Sequence, residues 1–281
     1  MSTDIQTCYR HPGNRAGVKC QRCERPICAQ CMNQASVGFH CPECAKKGKQ
    51  KVYTAANLVS RPYVTFTLIA INIVVFLLDQ GTSDNIQTGE QSLTTRGSLF
   101  GPAVAAGDWW RPITSGFLHA NIIHIGFNMF LLFQLGMLLE NAIGRASYAT
   151  LYFTALLGGS FLVLVLDPNN ATLGASGAVF GLMGAAFVGL RSRGIDPFST
   201  GIGSLIVLNL VFTFALPGIS IGGHIGGLVA GAAGGWLLFE GAPRLEQGRP
   251  RGTGKIIATG IVAALGLALF AGCLYIASNP V

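Results

Sequence analysis

Charge is what this 281-residue sequence has least of. Asp, Glu, Lys and Arg together make up 11% of it, against about a quarter in a soluble chain. That scarcity excludes a disordered chain, a coiled coil and an ordinary cytosolic enzyme. Acidic residues are the scarcer sign, 12 against 19 basic. Cysteine is nearly absent after residue 44, with Cys273 alone near the end. What fills the chain instead is apolar side chain, at 50%, and 38 glycines. Length allows one or two domains, and the uneven placement of the polar residues decides for two.

From residue 62 onward, apolar runs alternate with short polar punctuation. A spanning helix needs about 20 apolar residues. Seven spans are expected near 62–78, 119–140, 147–166, 172–190, 199–216, 221–239 and 256–276, with Leu216-Pro217-Gly218 dividing the long uncharged run 197–239. The first is short, but no signal-peptide cleavage site follows it, so it reads as a retained helix. With the N-terminus inside, only Arg96 and Arg111 of the 19 basic residues fall in outer segments. The expectation is a multi-pass protein of the cell (plasma) membrane with a cytoplasmic N-terminus. The net charge of +7 is then a topology signal and not a nucleic-acid footprint. The run Lys46-Lys47-Gly48-Lys49-Gln50-Lys51 also suits anionic lipid. Trp109-Trp110-Arg111-Pro112, in the first outer segment, is either an interfacial anchor or a specific structural element.

Polar and ionisable residues inside spans are rare and mark function. Here they are His119, His124 and Asn128 in span two, Ser176 in span four and His224 in span six. All enter from the outer face. At 1.5 Å per residue, Ser176 is expected roughly 6 Å below its helix start, with His124 and His224 at similar depth. Ser176 sits in Gly174-Ala175-Ser176-Gly177 with no bulky neighbour, and Gly227-x-x-x-Gly231 follows His224. Small residues on both helices allow close approach, which would bring Ser176 within hydrogen-bond reach of the base an alcohol nucleophile needs. His124 and Asn128, at i and i+4, share one helix face and make natural oxyanion donors. No Asp or Glu lies at that depth in these spans, so a Ser–His dyad is expected instead of a triad. Phe180, one turn after Ser176, packs either on the imidazole or against lipid and core.

His124-x-x-x-Asn128, Gly174-Ala175-Ser176-Gly177 and Gly223-His224-Ile225-Gly226-Gly227 together resemble the motifs of rhomboid intramembrane serine proteases. Trp110-Arg111 resembles that family's first-loop signature, and Gly136-x-x-x-Glu140 the end of its second span. The resemblance implies a six-helix core with a water-filled cavity open outward. It implies Ser176 as nucleophile, His224 as general base, and His124, Asn128 and the Ser176 amide as the oxyanion site. It also implies single-pass membrane proteins as substrates, cut where their helix unwinds. Phe180 departs from the family, where Tyr is familiar, and Gly223 replaces a common Ala. Span five and the loop 217–222 are expected to form a lateral gate and cap.

The head reads Cys8-x-x-His11, Cys20-x-x-Cys23, Cys28-x-x-Cys31 and Cys41-x-x-Cys44. Four such pairs point to zinc. Eight ligands serve two tetrahedral ions. Interleaving assigns Cys8, His11, Cys28 and Cys31 to one, and Cys20, Cys23, Cys41 and Cys44 to the other, with His40 an alternative ligand. A disulfide framework is the rival, disfavoured in a reducing compartment. The segment resembles a B-box-type zinc finger.

The expected fold class is an all-α membrane protein, with a rhomboid-like six-helix core, one further C-terminal transmembrane helix and a small N-terminal zinc-binding domain. The boundaries are 1–45 for the zinc domain, 46–60 for a basic linker, 61–241 for the protease core and 242–281 for a cytoplasmic loop with the seventh span. The expected activity is intramembrane serine endopeptidase, with Ser176 and His224 catalytic and Gly174, Gly177, Phe180, Gly227 and Gly231 in support. Two structural zinc ions are the only cofactor, with none required for catalysis. The partners are transmembrane substrates, the bilayer and a cytoplasmic protein docked on the zinc domain, with no nucleic acid. The alternative is an inactive rhomboid-like protein that binds client helices.

Overall fold

A computed structural model describes residues 6–48, 61–84 and 91–279. Most of the basic linker therefore lies outside the described residues. Backbone contacts divide the chain into two compact units, Met1–Ser60 and Arg61–Val281.

In the first unit, β1 (Val18–Lys19) pairs with β2 (Pro26–Ile27), and β3 (Asn33–Gln34) with β4 (Phe39–His40), both antiparallel. Helix α1 (Pro42–Lys47) follows. Its buried cluster is Cys8, Cys20, Ile27, Cys28, Cys31, Cys41 and Cys44. One isoleucine among six cysteines is no ordinary hydrophobic core, so the thiols must hold this unit together by other means.

The second unit is helical. Its long apolar helices are α2 (Tyr63–Gln80), then α6 (Ile122–Ile143) and α7 (Arg145–Leu166) after three short helices, α3 (Leu93–Gly97), α4 (Gly101–Ala105) and α5 (Arg111–Thr114). Two shorter apolar helices follow, α8 (Ser176–Arg191) and α9 (Ile202–Ala215). Then α10 (Ile221–Trp236) runs through a π-turn into α11 (Ala242–Glu246), and α12 (Thr253–Ser278) completes the set. Among the described residues five are long enough to cross a bilayer: α2, α6, α7, the continuous α10–α11 segment and α12. Helices α8 and α9, with 16 and 14 residues, reach only about 24 and 21 Å, short of the roughly 30 Å hydrocarbon layer. Non-helical backbone at membrane depth survives only where protein or a wet cavity covers it.

Helix α7 is central, with 61% of its apolar window buried, whereas α2 and α12 are peripheral at 22% each. Thr154 on α7 donates to the Val262 carbonyl of α12 at 3.0 Å. Cys273 on α12 is buried near the Leu157 carbonyl, where it acts as a small filler. Helix α2 is fixed by one carboxylate. Glu140, buried on α6, accepts from the amides of Val64 and Thr65 at 3.0 and 2.8 Å and from the Thr65 hydroxyl at 2.8 Å. It satisfies first-turn donors that Pro62 cannot cap. Gly136, one turn earlier, lies where a Cβ would overlap Thr65. The Gly136-x-x-x-Glu140 motif is thus the docking seat of α2.

Candidate active site

Arg111 organises the loop above the site. It is buried, and its guanidinium donates to Asp108 Oδ2 at 2.8 Å and to the carbonyls of Thr95 and Ser98 at 2.9 and 2.8 Å. Of the two readings of the Trp-Arg pair, the structural one describes Arg111. The same loop meets the segment before α8, with Leu99 and Thr172 exchanging backbone hydrogen bonds at 2.8 and 2.9 Å.

That bridge explains a correction. The expected span 172–190 begins instead at Ser176, which is the first residue of α8 and not one turn inside it. Residues 172–175 are held out of the helix by the Leu99 bridge, by the Gly174 amide donating to the Ser115 carbonyl at 2.9 Å, and by Gly174 itself at φ +128°. Helix α6 likewise starts at Ile122, where the Asn121 side chain caps it by accepting from the His124 amide at 2.9 Å. His124 is therefore close to its helix start, as is His224 on α10, capped by Ser220 accepting from the Gly223 amide at 3.1 Å. The polar layer lies at the mouths of three helices, where unpaired N–H groups also point.

Around this layer the side chains converge. The Ala120 amide donates to His124 Nδ1 at 3.5 Å, which leaves the proton on Nε2. His124 Nε2 faces the Gly174 loop, where a Cβ on Gly174 would stand 2.8 Å away. Asn128 uses one amide hydrogen on the His124 carbonyl, at 2.9 Å, and retains the other. His119 is buried, lies edge-on to His124 at 5.0 Å and accepts from the Ala175 amide at 3.5 Å. It thus braces the residue before Ser176. Phe180 is stacked on His224, with ring centroids 4.0 Å apart and planes 16° apart. Ser176 Oγ has no hydrogen-bond partner among the described residues, so the expected Ser–His hydrogen bond is not made in this conformation. Catalytic hydrogen bonds often tighten only when substrate binds. A cavity of about 30 Å³, lined by Ser176, Gly174, Gly177, Ser220 and Gly223 among others, opens beside the serine. It is large enough for a water molecule.

Glycine brings the two chemistry-bearing helices together. A Cβ at Gly227 would overlap the Gly177 carbonyl, and one at Gly231 the Gly181 backbone. Among the described residues Glu140 is the one buried carboxylate, and it is committed to α2. His224 Nδ1 is instead bonded to Thr213 Oγ1 of α9 at 2.7 Å. Thr213 was not legible as a site residue.

In the head, Cys8, His11, Cys28 and Cys31 form one group and Cys20, Cys23, Cys41 and Cys44 another, with ligand atoms within 4.8 Å of one another in each. His40 lies outside both and pairs with Asn33. All eight cysteines of the sequence are free of disulfides. Four ligands about 2.3 Å from a common centre lie roughly 3.8 Å apart. Cys23 and Cys41 sulfurs are 3.7 Å apart, and His11 Nδ1 is 3.4 Å from both Cys28 and Cys31. Both groups fit a tetrahedral ion. Burial pushes the Cys20 thiol up, but the amides of Cys41, Arg22 and Cys23 outweigh it and hold it at about 6. Burial and neighbouring thiols push Cys44 up to about 12. A cation between them is what would ionise all four.

The family model described as "Rhomboid domain" matches residues 106–241. The chain is 33% identical over 232 residues to rhomboid protease GluP of Bacillus subtilis (strain 168), covering 81% of this chain and 43% of that protein. It is 34% identical over 149 residues to rhomboid-like protease 1 of Toxoplasma gondii, covering 50% and 51%. It is 30% identical over 174 residues to putative rhomboid protease YdcA of Bacillus subtilis (strain 168), covering 60% of this chain and 85% of that one. The chain thus spans about half the length of the first two.

Proposed function

The chain belongs to the rhomboid family and is a multi-pass membrane protein, and from that premise we propose that it is an intramembrane serine endopeptidase. It cleaves single-pass membrane proteins near the outer membrane face by a Ser176–His224 dyad. The observation that carries this reading is the convergence of Ser176, Phe180-stacked His224, His124 and Asn128 at the mouths of α8, α10 and α6.

In the proposed chemistry His224 takes the proton of Ser176 as Oγ attacks the scissile carbonyl. The carbonyl oxygen becomes an oxyanion, met by His124 Nε2–H, the free Asn128 amide hydrogen and the Ser176 backbone amide. His224 then protonates the leaving nitrogen, and the C–N bond breaks to give an acyl-serine. Water repeats the sequence and releases the acid. A helical substrate hides its carbonyls in its own hydrogen bonds, so cleavage needs local unwinding, which Gly or Pro makes easier.

The N-terminus is cytoplasmic in the plasma membrane on this reading, and residues 1–45 bind two structural zinc ions. The tetrahedral spacing of the two ligand groups supports this. So small a unit owes its fold to metal, and its role is docking or regulation rather than catalysis. The core 61–241 performs the reaction, with 46–60 a linker and 242–281 carrying the added helix.

The test is cleavage of a single-pass reporter in proteoliposomes by wild type, Ser176→Ala and His224→Ala. Both variants are expected to fall at least a thousandfold, roughly the loss seen when such a unit is broken. Variants that cut like wild type overturn the dyad, whereas a wild type that holds the reporter without cutting it favours client binding.

A further inference from the structure

We propose that Thr213 is a positioning residue that fixes the tautomer of His224 and stands where a triad would place its acid. The inference rests on the reading of His224 as general base and adds a partner to it. Thr213 Oγ1 makes two hydrogen bonds, each 2.7 Å long, one to the Asn209 carbonyl and one to His224 Nδ1. A hydroxyl has one proton to give. A carbonyl oxygen donates nothing, so a 2.7 Å approach of two oxygens requires the hydroxyl proton between them. Thr213 therefore donates to Asn209 and accepts from His224, which places the imidazole proton on Nδ1. The lone pair of the ring is left on Nε2, free to accept the serine proton.

The plain alternative is a membrane threonine that satisfies its hydroxyl on the carbonyl four residues back and does nothing more. Asn209 does this, donating to Leu205 at 2.8 Å. Thr213 does more, since its second bond runs to a different helix. It is 2% exposed and His224 8%, so water does not compete for that bond. Gly203 and Thr213 are the buried residues of α9, whose remaining side chains are at least partly exposed. The contact that holds α9 inward at this end is thus the contact that orients the ring. When His224 becomes doubly protonated, Nδ1–H keeps its acceptor, and the neutral oxygen steadies the cation less than a carboxylate would.

The experiment measures ¹⁵N shifts of His224 in full-length protein, together with kcat and KM for reporter cleavage, in wild type, Thr213→Ser and Thr213→Val. Neutral His224 is expected as the Nδ1–H form in wild type and Thr213→Ser, and as a mixture in Thr213→Val. Thr213→Val should lose about 10- to 100-fold in kcat with KM within about twofold, a fraction of the loss a wrong tautomer causes in a full triad; Thr213→Ser should recover most of it. An Nε2–H ring in wild type, or wild-type kcat in Thr213→Val, overturns the proposal. Should Thr213→Val fail to fold, the wild-type spectrum still decides. The spectrum reads the Thr213 bond whether or not His224 is the base, whereas Ser176→Ala and His224→Ala read the dyad alone.

Discussion

Phe180 lies flat against His224, 4.0 Å between centroids and 16° between planes. A stacked ring restrains the imidazole plane without supplying a hydrogen bond, and aromatic pairs of this kind contribute about 0.5–1.5 kcal/mol beyond area burial. Phe180→Tyr keeps the face and should cleave the reporter within about threefold of wild type. Phe180→Ala frees the ring and should lower kcat about tenfold. Equal turnover in the two would show that the stack does not position the base.

Gly174 is the tightest point of the serine loop. Its φ of +128° disfavours any side chain, and a Cβ would press on the His124 ring at 2.8 Å. Gly174→Ala should cost about 1–3 kcal/mol of local strain and at least about a hundredfold in cleavage, since both the loop and an oxyanion donor must shift. Reporter assays with thermal unfolding in detergent separate the two effects.

The α8–α10 contact is backbone on backbone. Gly227→Leu must force Gly177 and its carbonyl away, and overpacking of this kind costs about 1–3 kcal/mol or more. The expected result is a lower unfolding temperature in detergent, with cleavage lost. A comparable substitution at Gly260, where a Cβ meets nothing within 4 Å, should leave the unfolding temperature unchanged.

The head should behave as a metal-dependent unit. Two zinc ions per chain are expected by elemental analysis, and a chelator should abolish the far-ultraviolet signal of the head. Cys41→Ser should do the same, since Cys41 belongs to one of the two ligand groups and also caps α1, accepting from the Cys44 amide at 3.4 Å. Removing residues 1–50 should leave basal cleavage intact. Loss of activity in a well-folded truncation would assign the head a part in the reaction.

Helix α9 exposes Val207, Val211, Phe212 and Phe214, the surface a lateral gate would offer to lipid. A covalent staple between α9 and α6 should block a helical reporter while sparing a short water-soluble peptide. Unchanged cleavage of the helical reporter would remove α9 as the gate.

Much of the site was legible because its chemistry is out of place in a bilayer. His124, Asn128, Ser176 and His224 stand out by residue type alone, and the Cys pairs by spacing. Helix starts were not, because hydropathy cannot see that Leu99 pairs with Thr172 and pulls the serine loop out of the helix. The short length of α8 is hidden for the same reason. Thr213 escaped notice because a threonine bonded to its own helix and one bonded to a neighbouring imidazole look identical in sequence.

Glu140 raises a question of biogenesis. The amide of Thr65 is capped by a carboxylate 75 residues further along the chain. During synthesis α2 enters the bilayer well before its cap exists, and hydrocarbon offers those amides no substitute. The first turn of α2 must therefore stay with water and head groups until α6 arrives. A ribosome-stalled chain ending before Glu140 would carry an unlatched first helix, available to the quality-control proteases of the membrane. Closing the latch neutralises both the open amides and a carboxylate that would otherwise be stranded in the bundle, and so records that the second helix has been inserted.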